Sequence, residues 1–189
     1  MNAILRIGAV LVLMATIAAC ASRREEGEHR GAVTELSDPA NALSQELMLT
    51  LGQAKNFHHK ANVLMSDGKL DDAATQVQQI LDLPFPKHSP EAEDVLLDAR
   101  ARLAQMRLSQ GKFEAAMTLV DDGLREKTRA SFFVANLHTV RGEVFEAMAA
   151  SAEEGSEASR SAKIDAIKSF DASIQINNQL LQELAPANK

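Results

Sequence analysis

His58 and His59 are adjacent imidazoles, Asp71-Asp72 and Asp121-Asp122 are adjacent carboxylates, and Cys20 is the only thiol in the 189 residues. A histidine pair holds zinc from one helical face when its members stand four apart. Adjacent helical positions point about 100° apart, and no His-Glu-x-x-His accompanies them. The two histidines therefore read as surface or half-buried side chains. Asp71-Asp72 opens an expected helix, where negative charge meets the positive end of the dipole. Asp121-Asp122 falls inside a helix on its solvent side. Neither pair has a partner acid, histidine or metal ligand at a definable spacing, so both read as solvated faces. The chain has no Gly-x-Ser-x-Gly, phosphate-cradling glycine loop or dinucleotide fingerprint. Ser-x-Gly-Lys occurs at 66–69 and 109–112 without the rest of a phosphate loop. The chemistry-bearing residues thus predict neither an enzyme nor a metal site.

Cys20 has a different context. Arg6 supplies a positive start, and Ile7 to Ala19 is apolar or small throughout, a run of 13 residues. A membrane-spanning helix needs about 20, so the run reads as a secretory signal over residues 1–19. Ile17-Ala18-Ala19-Cys20 resembles the bacterial lipoprotein signal, in which an aliphatic and two small residues precede the modified cysteine. The resemblance implies a diacylglyceryl group on Cys20, cleavage just before it by signal peptidase II, and an acylated first residue. Such a lipid on Cys20 would be the chain's one attached group, with no other cofactor. Three acyl chains would anchor stably where one anchors only marginally. No thiol would remain for a disulfide. Ala21-Ser22 follows the cysteine, with no aspartate directly after it, so the resemblance points to the outer membrane, facing the periplasm, if the host is Gram-negative.

Residues 20–38 are charged, hold two glycines and keep no sustained apolar period, which predicts a flexible tether after the acylated cysteine. The net charge is −6, and −7 once Arg6 leaves with the signal. That balance argues against nucleic acid, whose binders carry basic patches. Residues 39–185 suffice for one domain with a core. Seven Phe with no Trp or Tyr, amid abundant Ala, Leu, Glu, Gln and Lys, favour helix. Residues 186–189 read as a short tail.

Asp38-Pro39 starts a helix with a capping acceptor and a proline at its first position. Leu43, Leu47, Leu51, Ala54, Ala61 and Met65 then fall on one helical face. Gly68 stops it, and Leu70, Ala73, Val77, Ile80 and Leu81 mark a second helix. Pro84, Pro86 and Pro90 break the chain. A second pair follows: Val95, Leu96, Ala99, Leu103 and Met106, a stop at Gly111, then Phe113, Ala116, Leu119, Val120 and Leu124. The two turns, "SDGKLDDAATQVQQIL" and "SQGKFEAAMTLVDDGL", match in their glycine, lysine, alanine and valine, 43 residues apart.

This resembles the tetratricopeptide repeat, a helix-turn-helix unit of about 34 residues. Glycine ends its first helix, a large apolar residue follows two later, and a small alanine five later lets the helices approach. Ala61 and Ala104 match the small position before each turn. The usual tryptophan position reads Phe57 and Arg100, and the tyrosine position Leu64 and Arg107. Pro84 to Pro90 absorbs the extra length as a loop. A looser third unit has Gly142 and Phe145, then Ala166 and Phe170. The stretch around Gly155 reads as an extended loop or as added helical turns. The apolar pattern continues through Ile174, Leu180, Leu181 and Leu184, as a terminal helix covering the end of the stack would require. The resemblance implies an all-α fold of about three stacked repeats, a short α-solenoid with a C-terminal capping helix.

It also implies a binding scaffold, with the first helix of each pair lining a concave groove for a peptide, a helix or a subunit. By matching positions, Asn56, Lys60, Arg100 and Arg107 are the groove candidates. The expectation is a membrane-anchored periplasmic scaffold joining protein partners, in assembly of a cell-envelope complex. Two alternatives remain at this stage: a self-associating structural lipoprotein of the outer membrane or cell wall, or a pilotin-like assembly factor for a pilus or secretion pore.

Overall fold

The computed structural model describes residues 39–185. The signal peptide, acylated Cys20 and tether expected over 1–38, and the tail at 186–189, lie outside them. The described chain is helical, in the order α1 (Pro39–Ser66), α2 (Leu70–Leu81), α3 (Pro90–Ser109), α4 (Phe113–Glu126), α5 (Phe132–Ser151) and α6 (Glu157–Leu184). Successive helices pair antiparallel, and the pairs stack into an all-α, repeat-like solenoid. Among the described residues there is no strand, and no helix is long and apolar enough to cross a membrane.

The turns close as their residues dictate. Gly68 has φ +73° and Gly111 φ +70°, a region where glycine carries no Cβ penalty. At the first turn the N–H of Lys69 donates to the Leu64 carbonyl at 2.8 Å, and that of Gly68 to Met65 at 3.0 Å. At the second, Lys112 donates to Arg107 and Gly111 to Leu108, each at 2.9 Å. This doubled closure satisfies carbonyls that a helix end leaves orphaned. The starts of α3, α5 and α6 are each capped by a serine: Ser89, Ser131 and Ser156 accept from the N–H groups of Ala92, Val134 and Ser159.

Two apolar clusters form the interior. The first joins Ala61 of α1 and Ala73, Val77 and Ile80 of α2 to Ala99, Leu103 and Met106 of α3. The second joins Ala104 of α3 and Ala116 and Val120 of α4 to Val134, Leu137, Val140 and Val144 of α5. Neither helix pair closes its own apolar face. Each is completed by the first helix of the next pair, as stacking demands.

The third pair differs. The stretch around Gly155 is mostly helix: α5 runs nine residues past Gly142, whereas α1 and α3 run five past Ala61 and Ala104. The turn left is 152–156, with Gly155 at φ +75°. Ser159 Oγ donates across it to the Ala149 carbonyl at 3.0 Å. The third hairpin thus reaches about one helical turn beyond the other two. The terminal helix is not a separate element: α6 is the second helix of the third pair, continued for 28 residues.

Candidate functional site

The first helices α1, α3 and α5 lie side by side and share a cleft of about 380 Å³. Leu51, Lys55, His58 and Asn62 recur every three or four residues, so α1 presents one stripe to it. Val95 and Asp98 of α3 and Phe133 of α5 complete the lining. The floor is apolar (Leu51, Val95, Phe133), and the wall carries charged and hydrogen-bonding groups.

His58 organises that wall. Its Nε2 lies 3.5 Å from Asp98 Oδ2, and its Nδ1 lies 3.1 Å from Arg102 Nη1. A guanidinium only donates. Nδ1 must therefore accept, which leaves the ring proton on Nε2, facing the carboxylate. Arg102 also donates to Asn62 Oδ1 and approaches Met65 Sδ at 3.8 Å. One arginine of α3 thus ties three side chains of α1, and the clasp fixes how the two first helices sit. Burial pushes the His58 pKa below the ordinary 6.5. Asp98 opposes that shift, and Arg102 and His59 add to it. Gln105 Nε2 donates to Glu143 Oε2 at 3.1 Å, linking α3 to α5 in the same way.

The four groove candidates fall elsewhere. Asn56 and Lys60 are exposed, but they point more than 90° away from the stripe of Lys55, His58 and Asn62. The 43-residue shift between Gly68 and Gly111 places them level with Ala99 and Leu103, which face α2 from α3. They therefore cover the outer end of the stack. Arg100 turns to α4: its Nη2 donates to Glu126 Oε2 at 2.6 Å, and its Nη1 lies 3.8 Å from Asp122. Arg107 Nη1 donates to Gln110 Oε1, 2.9 Å away at the end of its own helix. The polar residues that line the cleft are instead Lys55, His58, Asn62 and Asp98, with Arg102 bonded to His58 and Asn62 beside it. Their signal was legible: the three- and four-residue spacing of Leu51, Lys55, His58 and Asn62 marks one face.

His59 lies at the cleft edge. Among the described residues no three His, Cys, Asp or Glu side chains gather to hold a metal. Of the other carboxylates weighed, Asp71 accepts from Gln110 Nε2 at 2.7 Å and Asp121 lies 3.4 Å from Arg141 Nε, so each joins neighbouring helix pairs. No protein-family model, curated protein or solved structure matches this chain.

Proposed function

We propose that the chain is a lipid-anchored, periplasm-facing scaffold of tetratricopeptide-like repeats that binds an extended or helical protein segment and serves assembly of a cell-envelope complex. One observation carries the binding reading. The first helices leave an elongated cleft whose apolar floor is walled by Lys55, His58, Asn62 and Asp98. A peptide with spaced apolar side chains fits the floor, and the wall offers donors and acceptors for its backbone. Part of this wall is held in place by Arg102, so little side-chain freedom is lost on binding. The anchor rests on Ile17-Ala18-Ala19-Cys20, and the periplasmic location on the same residues.

In living cells, a photocrosslinking residue at Lys55 should capture one dominant envelope protein. The same probe at Asn56, on the stack's outer end, should not. Equal capture from both positions, or none from Lys55, refutes the cleft reading. Cys20→Ala should leave the precursor uncleaved, and a normally processed, membrane-held Cys20→Ala chain refutes the anchor.

A further inference from the structure

Arg102 reaches from α3 to three side chains of α1, and only one of them can titrate. Asn62 Oδ1 accepts from the guanidinium, and Met65 Sδ lies 3.8 Å from it. The third, His58 Nδ1 at 3.1 Å, accepts only while its ring is neutral, because an imidazolium donates at both nitrogens and a guanidinium never accepts. A proton on Nδ1 therefore sets two donors and two positive charges against each other. The other ring nitrogen faces Asp98, 3.5 Å away, where the same proton turns a neutral contact into a charged pair. The His58 side chain is 20% exposed at the cleft, so protons reach it from solvent. The charges that face it are Asp98 and Arg102 of α3 and His59 and Lys55 of α1. The charged residues of α2, Asp71 and Asp72, stand in its first turn, with Asp71 bonded to Gln110, and α5 brings the uncharged Phe133. α1 meets α3 far more sparingly than it meets α2, which leaves the Arg102 clasp as a main tie between these two helices.

We propose that His58 is a proton-operated latch on the cleft. Neutral, it holds Arg102 against α1. Protonated, it lets Arg102 go and draws Asp98 to itself. The released guanidinium has a partner at hand, because Asp98 lies four residues before Arg102 on the same face of α3. The wall then changes in two ways. Asp98 is engaged by two cations and no longer offers an acceptor to an occupant, and α1 loses one of the bonds that fix it beside α3. Burial lowers the pKa of the ring from its ordinary 6.5, so the latch is closed at neutral pH and opens as the pH falls below that value. The consequence for binding rests on the cleft reading above: an occupant fitted to the closed wall is held at neutral pH and released in acid, as the closed fraction falls. His138 is the contrasting case. Its buried Nδ1 has no hydrogen-bond partner among the described residues, so a proton there breaks no bond.

The experiment is nitrogen NMR of the full-length chain in detergent micelles, from pH 7.5 to 5.5. At the upper end the His58 ring should carry its proton on Nε2. As the pH falls, the guanidinium signals of Arg102 should move with the same midpoint as the His58 ring. His58→Gln, whose amide oxygen still accepts from Arg102 but does not titrate, should hold those signals constant, and His138→Gln should leave the parent's behaviour unchanged. A proton on Nδ1 at pH 7.5 overturns the latch. So do Arg102 signals that stay fixed while His58 titrates, or that move equally in His58→Gln. Photocrosslinking from Lys55 in membranes reads the consequence: capture should fall several-fold from pH 7.5 to 5.5 in the parent and stay level in His58→Gln. Capture indifferent to pH in the parent overturns the release of an occupant. No capture at either pH, with Arg102 still tracking His58, refutes the binding reading and leaves the latch standing.

Discussion

Gly142 lies in the middle of α5, where helix propensity alone says alanine should be better by about 1 kcal/mol. The packing says the opposite. A Cβ at Gly142 would meet the Phe170 ring at 2.4 Å from Cε1, 2.6 Å from Cζ and 2.8 Å from Cδ1. Three atoms of one rigid edge are involved, so no torsional flip clears them. The ring must retreat by several tenths of an ångström or more, and α6 with it, where Ala166 and Ser169 are 3% and 5% exposed. Overpacking of this kind costs about 1–3 kcal/mol. Set against the propensity gain, Gly142→Ala should lose about 1 kcal/mol net, which lowers Tm by about 2–4 °C in a chain of this size. Gly52→Ala is the control: Gly52 also lies within a helix, but a Cβ there meets nothing within 4 Å, so the gain of about 1 kcal/mol should appear whole. Urea unfolding followed by helical circular dichroism measures both. Adding Phe170→Leu to Gly142→Ala should recover part of the loss, a coupling of about 0.5 kcal/mol or more. A Gly142→Ala chain as stable as Gly52→Ala would refute the close approach of α5 and α6.

Ala73 and Ala116 are fully buried between the helices of their pairs, so Leu at either position should cost about 1–3 kcal/mol in the same unfolding assay. Burial holds His58 below its ordinary 6.5, and burial with nearby Lys127 and Arg141 does the same to His138. The unfolded chain then binds protons that the native chain resists. Stability should therefore be full above pH 6.5 and fall as pH drops through that value. Thermal melts across pH 7.5 to 5.5 should show this fall, and His58→Gln with His138→Gln should flatten it. Arg102→Ala unties His58 and Asn62 and should weaken capture from Lys55 several-fold. Arg100→Ala, which removes the ties to Glu126 and Asp122 and the packing of a side chain only 17% exposed, should cost about 1–3 kcal/mol and leave that capture unchanged.

Local chemistry was the most legible part of the sequence. Gly68 and Gly111 declare their turns because only a residue at ease with positive φ closes a helix that way. Ser89-Pro90 declares its cap and first turn by the same kind of short-range logic. The pairing of Ala61 with Ala73, and of Ala104 with Ala116, follows from distance to the turn. What failed was the choice of face on the first helices. Arg100 and Arg107 stand at the repeat's tryptophan and tyrosine positions on such helices, and matching of positions assigns them to the groove. Their partners decide otherwise: Glu126 lies 26 residues from Arg100, a separation that no local pattern reveals. Asn56 and Lys60 were misread for a different reason. Shifting the sequence by its own 43-residue period sets them against Ala99 and Leu103, and that comparison alone assigns them to the end of the stack.

The third pair shows how far a repeat pattern constrains a helix that packs against only one other described helix. Ala166 and Phe170 keep the internal spacing because α5 still packs against them, and Gly142 answers with the smallest residue where the ring comes closest. On the opposite side of α6 no other described helix packs, and solvent would reward polar residues there. Lys168, Asp171 and Asn178 meet that demand. Ile164, Ile167, Ile174 and Leu181 do not, and they share one face over more than four turns. Burying each such side chain is worth about 1.5–3 kcal/mol relative to exposure. Four aliphatic residues on one face at paired-helix spacing therefore mark a contact surface.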